Sequence, residues 1–331
     1  MSQFPLERLR RTRASAWSRA MHRETAISPA DLIWPLFVTD GHGVEEPIAS
    51  LPGVSRASVD IIAQQAQRAV DLGISCVALF ANTPHALRDE TGSEALNPGN
   101  LMCRAIAGIK ERCGDALGVL TDVALDPYTS HGQDGVLDRD GYVVNDATVD
   151  LLVGQALVQA RAGADIIAPS DMMDGRVAAI RSALEEQDRP NVQIMAYSAK
   201  YASAFYGPFR DAVGSAGLLK GNKKTYQMDP ANGAEALREA AADVSEGADS
   251  IMVKPGVAYL DIVYRLQQSL HVPVFVYHTS GEYAMIEAAA AAGAGDRDAM
   301  IMETMIAFKR AGATGVLTYH APVVAELLHA R

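Results

Sequence analysis

Two lysines in this chain stand where a lysine is both costly and useful. Val192-Gln193-Ile194-Met195-Ala196-Tyr197 reads as a buried strand, and Lys200 follows just where that apolar run stops. Ile251-Met252-Val253 repeats the pattern, with Lys254 at its end and Pro255-Gly256 closing it. An ammonium group buried without a partner is strongly disfavoured. If the two strands are consecutive and parallel, both ammonium groups emerge at one end of one sheet. Each then lowers the other's pKa, which is how a lysine becomes a nucleophile near neutral pH. The pair points to Schiff-base chemistry on a carbonyl compound.

The segment after Lys200, 201–227, matches no simple helix or strand pattern. It is rich in glycine, serine, aromatics and cations: Phe205, Tyr206, Phe209, Arg210, Lys220, Lys223 and Lys224. A loop that long inside a compact domain is usually functional or disordered, and its aromatic content argues against disorder. We read it as a basic lid over the lysines. Arg210, in Tyr206-Gly-Pro-Phe-Arg210, has the setting of a positioned fork for a carboxylate or phosphate. Gly214 to Lys224 lacks Walker spacing, so a P-loop is rejected.

The elements that must hold these residues alternate from Asp31 onward. Strand candidates are Leu32–Val38, Cys76–Phe80, Gly118–Ala124, Ile166–Pro169, Gln193–Tyr197, Ser250–Val253, Val274–Tyr277 and Gly315–Tyr319. Most are apolar without alternation, as parallel strands covered on both faces are. Amphipathic helix candidates lie between them, and Gly73, Gly163, Gly247 and Gly312 supply C-caps before the next strand. Strand and helix alternate with no linker-like break, which predicts an α/β protein with one (β/α)₈ TIM barrel over 31–331. A doubly wound sheet is the fallback. No Gly-x-Gly-x-x-Gly follows the first strand, so nothing supports a dinucleotide site.

In such a barrel the chemistry sits where strands end. Those ends carry Asp122 and Asp126, then Ser170, Asp171 and Asp174, then Lys200, Lys254, His278 and Ser280, and finally Tyr319 and His320. The Asp-rich stretch 122–146 reads either as a solvated loop or as a weak oxygen-ligand site for a hard cation; its spacing excludes an EF-hand.

The chain has 331 residues, near-half apolar composition and a formal charge of −11, which argues against nucleic acid and anionic membranes as partners. No apolar run approaches the ~18 residues of a membrane helix. Cys76, Cys103 and Cys113 show neither metal spacing nor an even disulfide count, so a reducing cytoplasm is expected. Residues 1–30 differ in kind: Arg8, Arg10, Arg11, Arg13, Arg19 and Arg23 dominate the start. A transit peptide has a similar look; we favour an extended N-terminal arm that packs on an acidic neighbouring subunit.

Several long motifs, in order, carry a resemblance. They are Ala168-Pro-Ser-Asp-Met-Met-Asp-Gly-Arg176, Tyr197-Ser-Ala-Lys200, Tyr206-Gly-Pro-Phe-Arg210, Met252-Val-Lys-Pro255 and Ser280-Gly-Glu-Tyr-Ala-Met285. Together they resemble the porphobilinogen synthase (5-aminolevulinate dehydratase) family, from the arm almost to the last helix. The resemblance implies condensation of two 5-aminolevulinate molecules to porphobilinogen, with loss of two waters, in tetrapyrrole synthesis. It implies that Lys254 forms the Schiff base with the first molecule, whose carboxylate meets Ser280 and Tyr319. Lys200 would take the ketone of the second, with Arg210, Lys223 and Gln227 around its carboxylate, and Asp122, Tyr206 and Phe209 would line the cavity. It further implies a homo-oligomer, an octamer or hexamer.

Two departures from the family pattern matter. Lys223 stands where many members carry arginine. The three cysteines of zinc-dependent members appear as Ala124, Asp126 and Asp134, so no catalytic zinc is expected. Asp126 and Asp134 could hold at most a hard cation such as magnesium, and Glu239 matches a position that serves a regulatory magnesium in some members. Two rival readings remain: a class I aldolase-type Schiff-base barrel, and a non-catalytic binding barrel.

Overall fold

The computed structural model describes residues 3–214, 217–219 and 221–330. Lys220, expected among the lid cations, and the first two residues of the arm lie outside the described residues.

Among the described residues, ten strands form one sheet: β1 (Leu32–Val38), β2 (Glu45–Pro47), β3 (Ser55–Ala57), β4 (Cys76–Ala81), β5 (Gly118–Val123), β6 (Ile166–Pro169), β7 (Gln193–Lys200), β8 (Ser250–Lys254), β9 (Val274–His278) and β10 (Gly315–Thr318). The eight strands β1 and β4 to β10 pair in parallel in chain order, β3 adds to β1 in parallel, and β2 pairs antiparallel with β3. The ring closes where β1 meets β10, at Leu32 against Val316 and Ile33 against Leu317. This is a (β/α)₈ TIM barrel, so the doubly wound alternative falls away. The predicted strands come within one residue of those observed, except β7, which runs on to Lys200.

Beyond Ile33, β1 is extended by a different partner. The antiparallel β2–β3 hairpin docks β3 alongside Phe37 and Val38. Sequence patterning missed this hairpin because its strands are three residues each and partly exposed.

Period-two alternation sorts the barrel side chains. Leu32, Leu36, Val38, Val77, Leu79, Ile251 and Val253 face the helical layer, in one large apolar cluster. Ile33, Phe37, Ala78, Phe80, Leu120, Met252, Tyr277, Leu317 and Tyr319 face inward and fill the barrel. Both faces of the barrel strands are covered, which is why those strands read as continuous apolar runs.

The lid differs from its sequence reading. It contains a 3₁₀ turn (Ala204–Tyr206) that runs into a short α-helix, Gly207–Ala212, begun by Pro208 in its first turn. Six helical residues are too few to leave a periodic signature, and Gly207 and Pro208 read as loop punctuation. The segment leaves and returns at one point: Tyr201 bridges Met228, whose N–H donates to the Lys200 carbonyl at 3.0 Å. Its 3₁₀ turn sits so tightly on the helix Ser280–Ala291 that a Cβ at Gly281 would lie 2.6 Å from the Phe205 carbonyl oxygen.

The N-terminal segment folds into a 3₁₀ turn (Leu9–Arg13) and a short helix (Ala16–Met21). Phe4, Leu6, Leu9, Trp17 and Met21 there are 69–77 % exposed, an unusual density of large apolar side chains in water.

Candidate active site

Strand parity decides where the two lysines point. On β8, Met252 faces into the barrel and therefore so does Lys254. On β7, Met195 and Tyr197 face inward, so by simple alternation Lys200 would point out toward the helices. One extra residue between Ala196 and Ala199 reverses this. Ala196 pairs with Ile251, but Ala199 pairs with Val253 and Lys200 with Lys254. The bulge moves Ala199 to the outer cluster and turns Lys200 inward, in register with Lys254.

The two ammonium groups have different surroundings. Lys254 Nζ lies over aromatic faces, 4.2 Å from the Tyr277 ring centroid, 4.8 Å from Phe209, 5.3 Å from Tyr206 and 5.4 Å from Tyr197. Burial, and then the Lys200 charge, draw its pKa down to about 7, against the opposing pull of Asp122, Asp126 and Asp134. Lys200 instead has polar partners: its Nζ donates to the Ser170 carbonyl and pairs with Asp134 Oδ2 at 3.3 Å. One lysine is thus solvated by π-faces and the other by oxygens.

The Asp-rich stretch is not one solvated loop. Asp138 and Asp140 are exposed, but Asp134 is wholly buried and Asp126 largely so. Lys223 from the lid bridges these two carboxylates, 3.2 Å from Asp126 Oδ2 and 2.5 Å from Asp134 Oδ1. Burial disfavours the Lys223 ammonium, but Asp126 and Asp134 outweigh it and the net shift is upward. Burial likewise opposes ionisation of Asp134, and Lys200 and Lys223 reverse that to hold it below the usual carboxylate range. The two carboxylates that could at most hold a hard cation thus hold the Lys223 ammonium, and Ala124 offers no ligand. Among the described residues, no group of three or more His, Cys, Asp or Glu side chains is placed to bind a metal. Asp122 faces inward from β5, and burial pushes its carboxyl up to about 6, with Asp126 adding to the effect.

Ser280 and Tyr319 lie on the Lys254 side. Phe209 N–H donates to Ser280 Oγ at 3.0 Å, and the Tyr319 and Tyr277 hydroxyls share a hydrogen bond of 2.9 Å. The Tyr206 hydroxyl donates to the Lys254 carbonyl at 3.1 Å. Gln227 is buried at the base of the lid, its N–H donating to the Lys223 carbonyl at 2.9 Å. Arg210 is exposed on the lid helix. Glu239 lies elsewhere, lining a cavity of about 350 Å³ with Tyr142, Asp174, Lys224, Asp229 and Glu235.

Tyr197 and Tyr277 were read only as strand residues, and inward parity was the signal that marks them. His278 and His320 are completely buried, and burial takes them down to about 3 and about 4. Both are therefore neutral imidazoles near pH 7, and His320 Nε2–H donates to Glu287 Oε1 at 2.7 Å.

Comparison with known proteins gives this geometry a family. Residues 6–327 match the family described as delta-aminolevulinic acid dehydratase. The chain belongs to that family. The delta-aminolevulinic acid dehydratase of Bradyrhizobium diazoefficiens is 60% identical over 321 residues, which cover 97% of this chain and 90% of that one. The Rhodobacter capsulatus protein of the same name is 49% identical over 99% of this chain and 98% of its own length. A crystal structure of the Toxoplasma gondii dehydratase (porphobilinogen synthase), in complex with the reaction product porphobilinogen, superposes with a TM-score of 0.94. It is 46% identical, over 97% of this chain and 91% of that one.

A dehydratase with this charge arrangement makes a pH prediction. Borohydride trapping of a small 4-oxo acid such as levulinic acid on Lys254 should speed up as pH rises through about 7, where the free amine appears. Lys200→Met removes a neighbouring cation and should move that midpoint to higher pH. A midpoint unchanged by the substitution would show that the two ammonium groups do not interact.

Proposed function

We propose that the chain condenses two molecules of 5-aminolevulinate into porphobilinogen, with release of two waters, as a lyase of tetrapyrrole biosynthesis. The observation that carries the reading is the in-register pair Lys254 and Lys200, one lysine cupped by aromatics and the other held by oxygens. A reaction that treats two identical ketones differently needs two amines in unlike surroundings.

The Lys254 amine attacks the ketone of one molecule, and loss of water leaves an iminium. Its iminium carbon is the electrophile. The second molecule's ketone loses the second water as an imine on Lys200, and the carbon beside that imine gives up a proton and attacks. The first molecule's amine then displaces Lys200, and Lys254 leaves the first molecule as the pyrrole ring aromatises. Ser280 and Tyr319 take the carboxylate of the first molecule. The ketone of the second molecule is engaged by Lys200, and its carboxylate by Lys223, Gln227 and Arg210. Arg210 is exposed here, so this role requires the lid helix to turn it inward. Asp122 is suited to relay protons, because a carboxyl near 6 releases and recovers a proton close to neutral pH. Holding both molecules at reacting distance supplies most of the remaining advantage.

Incubation with 5-aminolevulinate alone, followed by a pyrrole colour test, should be positive. Lys254→Met should abolish both colour and the borohydride adduct. Lys223→Ala should retain the adduct and lose roughly ten- to a hundredfold in turnover, the effect of about 1.5–3 kcal/mol for a charged hydrogen bond. A Lys254→Met protein with near-normal turnover would overturn the reading.

No catalytic zinc enters this scheme. Carboxylates in place of thiolates and an ammonium already lying between them suit neither soft nor tetrahedral coordination. Magnesium is admitted only as a non-essential or regulatory ion near Glu239, where the cavity is carboxylate-lined. Activity should therefore survive exhaustive EDTA treatment verified by metal analysis. A dead protein revived by zinc alone would refute this.

The arm, 1–30, is read as the subunit contact of a homo-oligomer, an octamer or hexamer. Its exposed Phe4, Leu6, Leu9 and Trp17 beside arginines support this, because such surface is normally covered. Deletion of residues 1–24 should lower the mass measured by light scattering, and an unchanged mass would exclude the role. No helix among the described residues is long and apolar enough to cross a membrane, in keeping with a cytoplasmic location.

A further inference from the structure

Arg88 is a buried guanidinium that touches no carboxylate among its recorded partners. It lies in the loop after β4. Its Nε and Nη2 donate to the Thr83 carbonyl at 2.9 and 2.8 Å, and Nη2 reaches Asn82 Oδ1 at 3.5 Å. Its remaining donors go to the lid: Nη2 to the Val213 carbonyl at 3.1 Å and Nη1 to the Gly214 carbonyl at 3.2 Å. A second arginine takes the two preceding carbonyls. Arg56, on β3, donates Nη2 to the Asp211 carbonyl and Nε to the Ala212 carbonyl at 2.6 Å. Four successive carbonyls, 211 to 214, are thus held by two cations from outside the lid. The last carbonyls of a helix have no partner within it and lie at the negative end of its dipole, so cations are favoured there.

We propose that Arg88 is a positioning residue that pins the C-terminal hinge of the lid helix and so sets the second-substrate half of the site. The lid helix is fixed at its other end by Phe209 N–H on Ser280 Oγ. Beyond Gly214 the chain leads to Lys223 and Gln227. Releasing the hinge therefore loosens the Lys200 side and spares the Lys254 pocket. Gly214 is part of the device. Its φ of +64° suits glycine, and a Cβ there would collide with Asn82 Oδ1. Only a glycine lets the hinge lie against Asn82 and Arg88.

The inference rests on the proposed reaction for its kinetic arm but not for its structural one. Arg88→Met should keep borohydride trapping on Lys254, raise KM for 5-aminolevulinate at least tenfold with a smaller change in kcat, and increase tryptic cleavage at Lys223 or Lys224 severalfold. Arg88→Lys should recover only part of each, because one ammonium cannot reach both the loop and the lid. Should Arg88→Met fail to fold, Gly214→Ala reads the same hinge and should give the same KM shift and cleavage. Unchanged KM and unchanged cleavage in a folded variant would overturn the proposal. Loss of the Lys254 adduct in Arg88→Met would also overturn it, by showing a general structural role. Absence of activity in the unsubstituted protein would count against the reaction alone; the cleavage comparison would still decide the hinge.

Discussion

Everything at the mouth of this barrel depends on keeping two ammonium groups buried side by side. Adjacent strands lie less than about 5 Å apart, so Lys200 and Lys254 in register repel each other across a short gap. The repulsion is tolerable because the two are treated unequally. Asp134 and the Ser170 carbonyl stabilise the charge on Lys200. Lys254 instead lies among ring faces, which favour a cation weakly and accept a neutral amine readily. The pair relaxes in one direction, toward one ammonium and one free amine.

That asymmetry is propagated by a chain of charges. Asp134 serves Lys200 and Lys223 together, and Asp126 completes the array. A carboxylate with two cationic partners stays ionised even when fully buried, whereas Asp122, without such a pair, is pushed toward neutrality. Two buried aspartates on neighbouring parts of the barrel therefore hold a proton with different strength because of their partners. Lys223 supplies the positive charge between carboxylates that a metal ion would otherwise provide.

The lid connects both halves. It begins at Lys200 and returns to the Lys200 carbonyl through Met228, so it cannot shift at its base without disturbing that lysine. Its helix places Phe209 against Lys254, and its later part delivers Lys223 to Asp126 and Asp134. Ser280 holds one end of that helix, and Arg56 and Arg88 hold the other.

Apolar runs with glycine caps were enough to derive the barrel and, to within a residue, most of its strands. The reason is that strands covered on both faces must be uniformly apolar. Lysines that terminate such runs were equally conspicuous, since no core tolerates them without a purpose. The hairpin β2–β3, the lid helix and the arm's short helix left no periodic trace, being too short to show one. Other features were decided by tertiary structure alone. The bulge that turns Lys200 inward appears only when β7 is paired with β8, because parity within a strand predicts the opposite face. Asp126 and Asp134 were visible as carboxylates, but their partner Lys223 is 89 residues from Asp134 in the chain, and only the fold brings them together. Arg210 and Arg88 are both arginines of loops in the sequence. One is exposed and the other is buried against the carbonyls of Thr83, Val213 and Gly214, which carry no sequence signal.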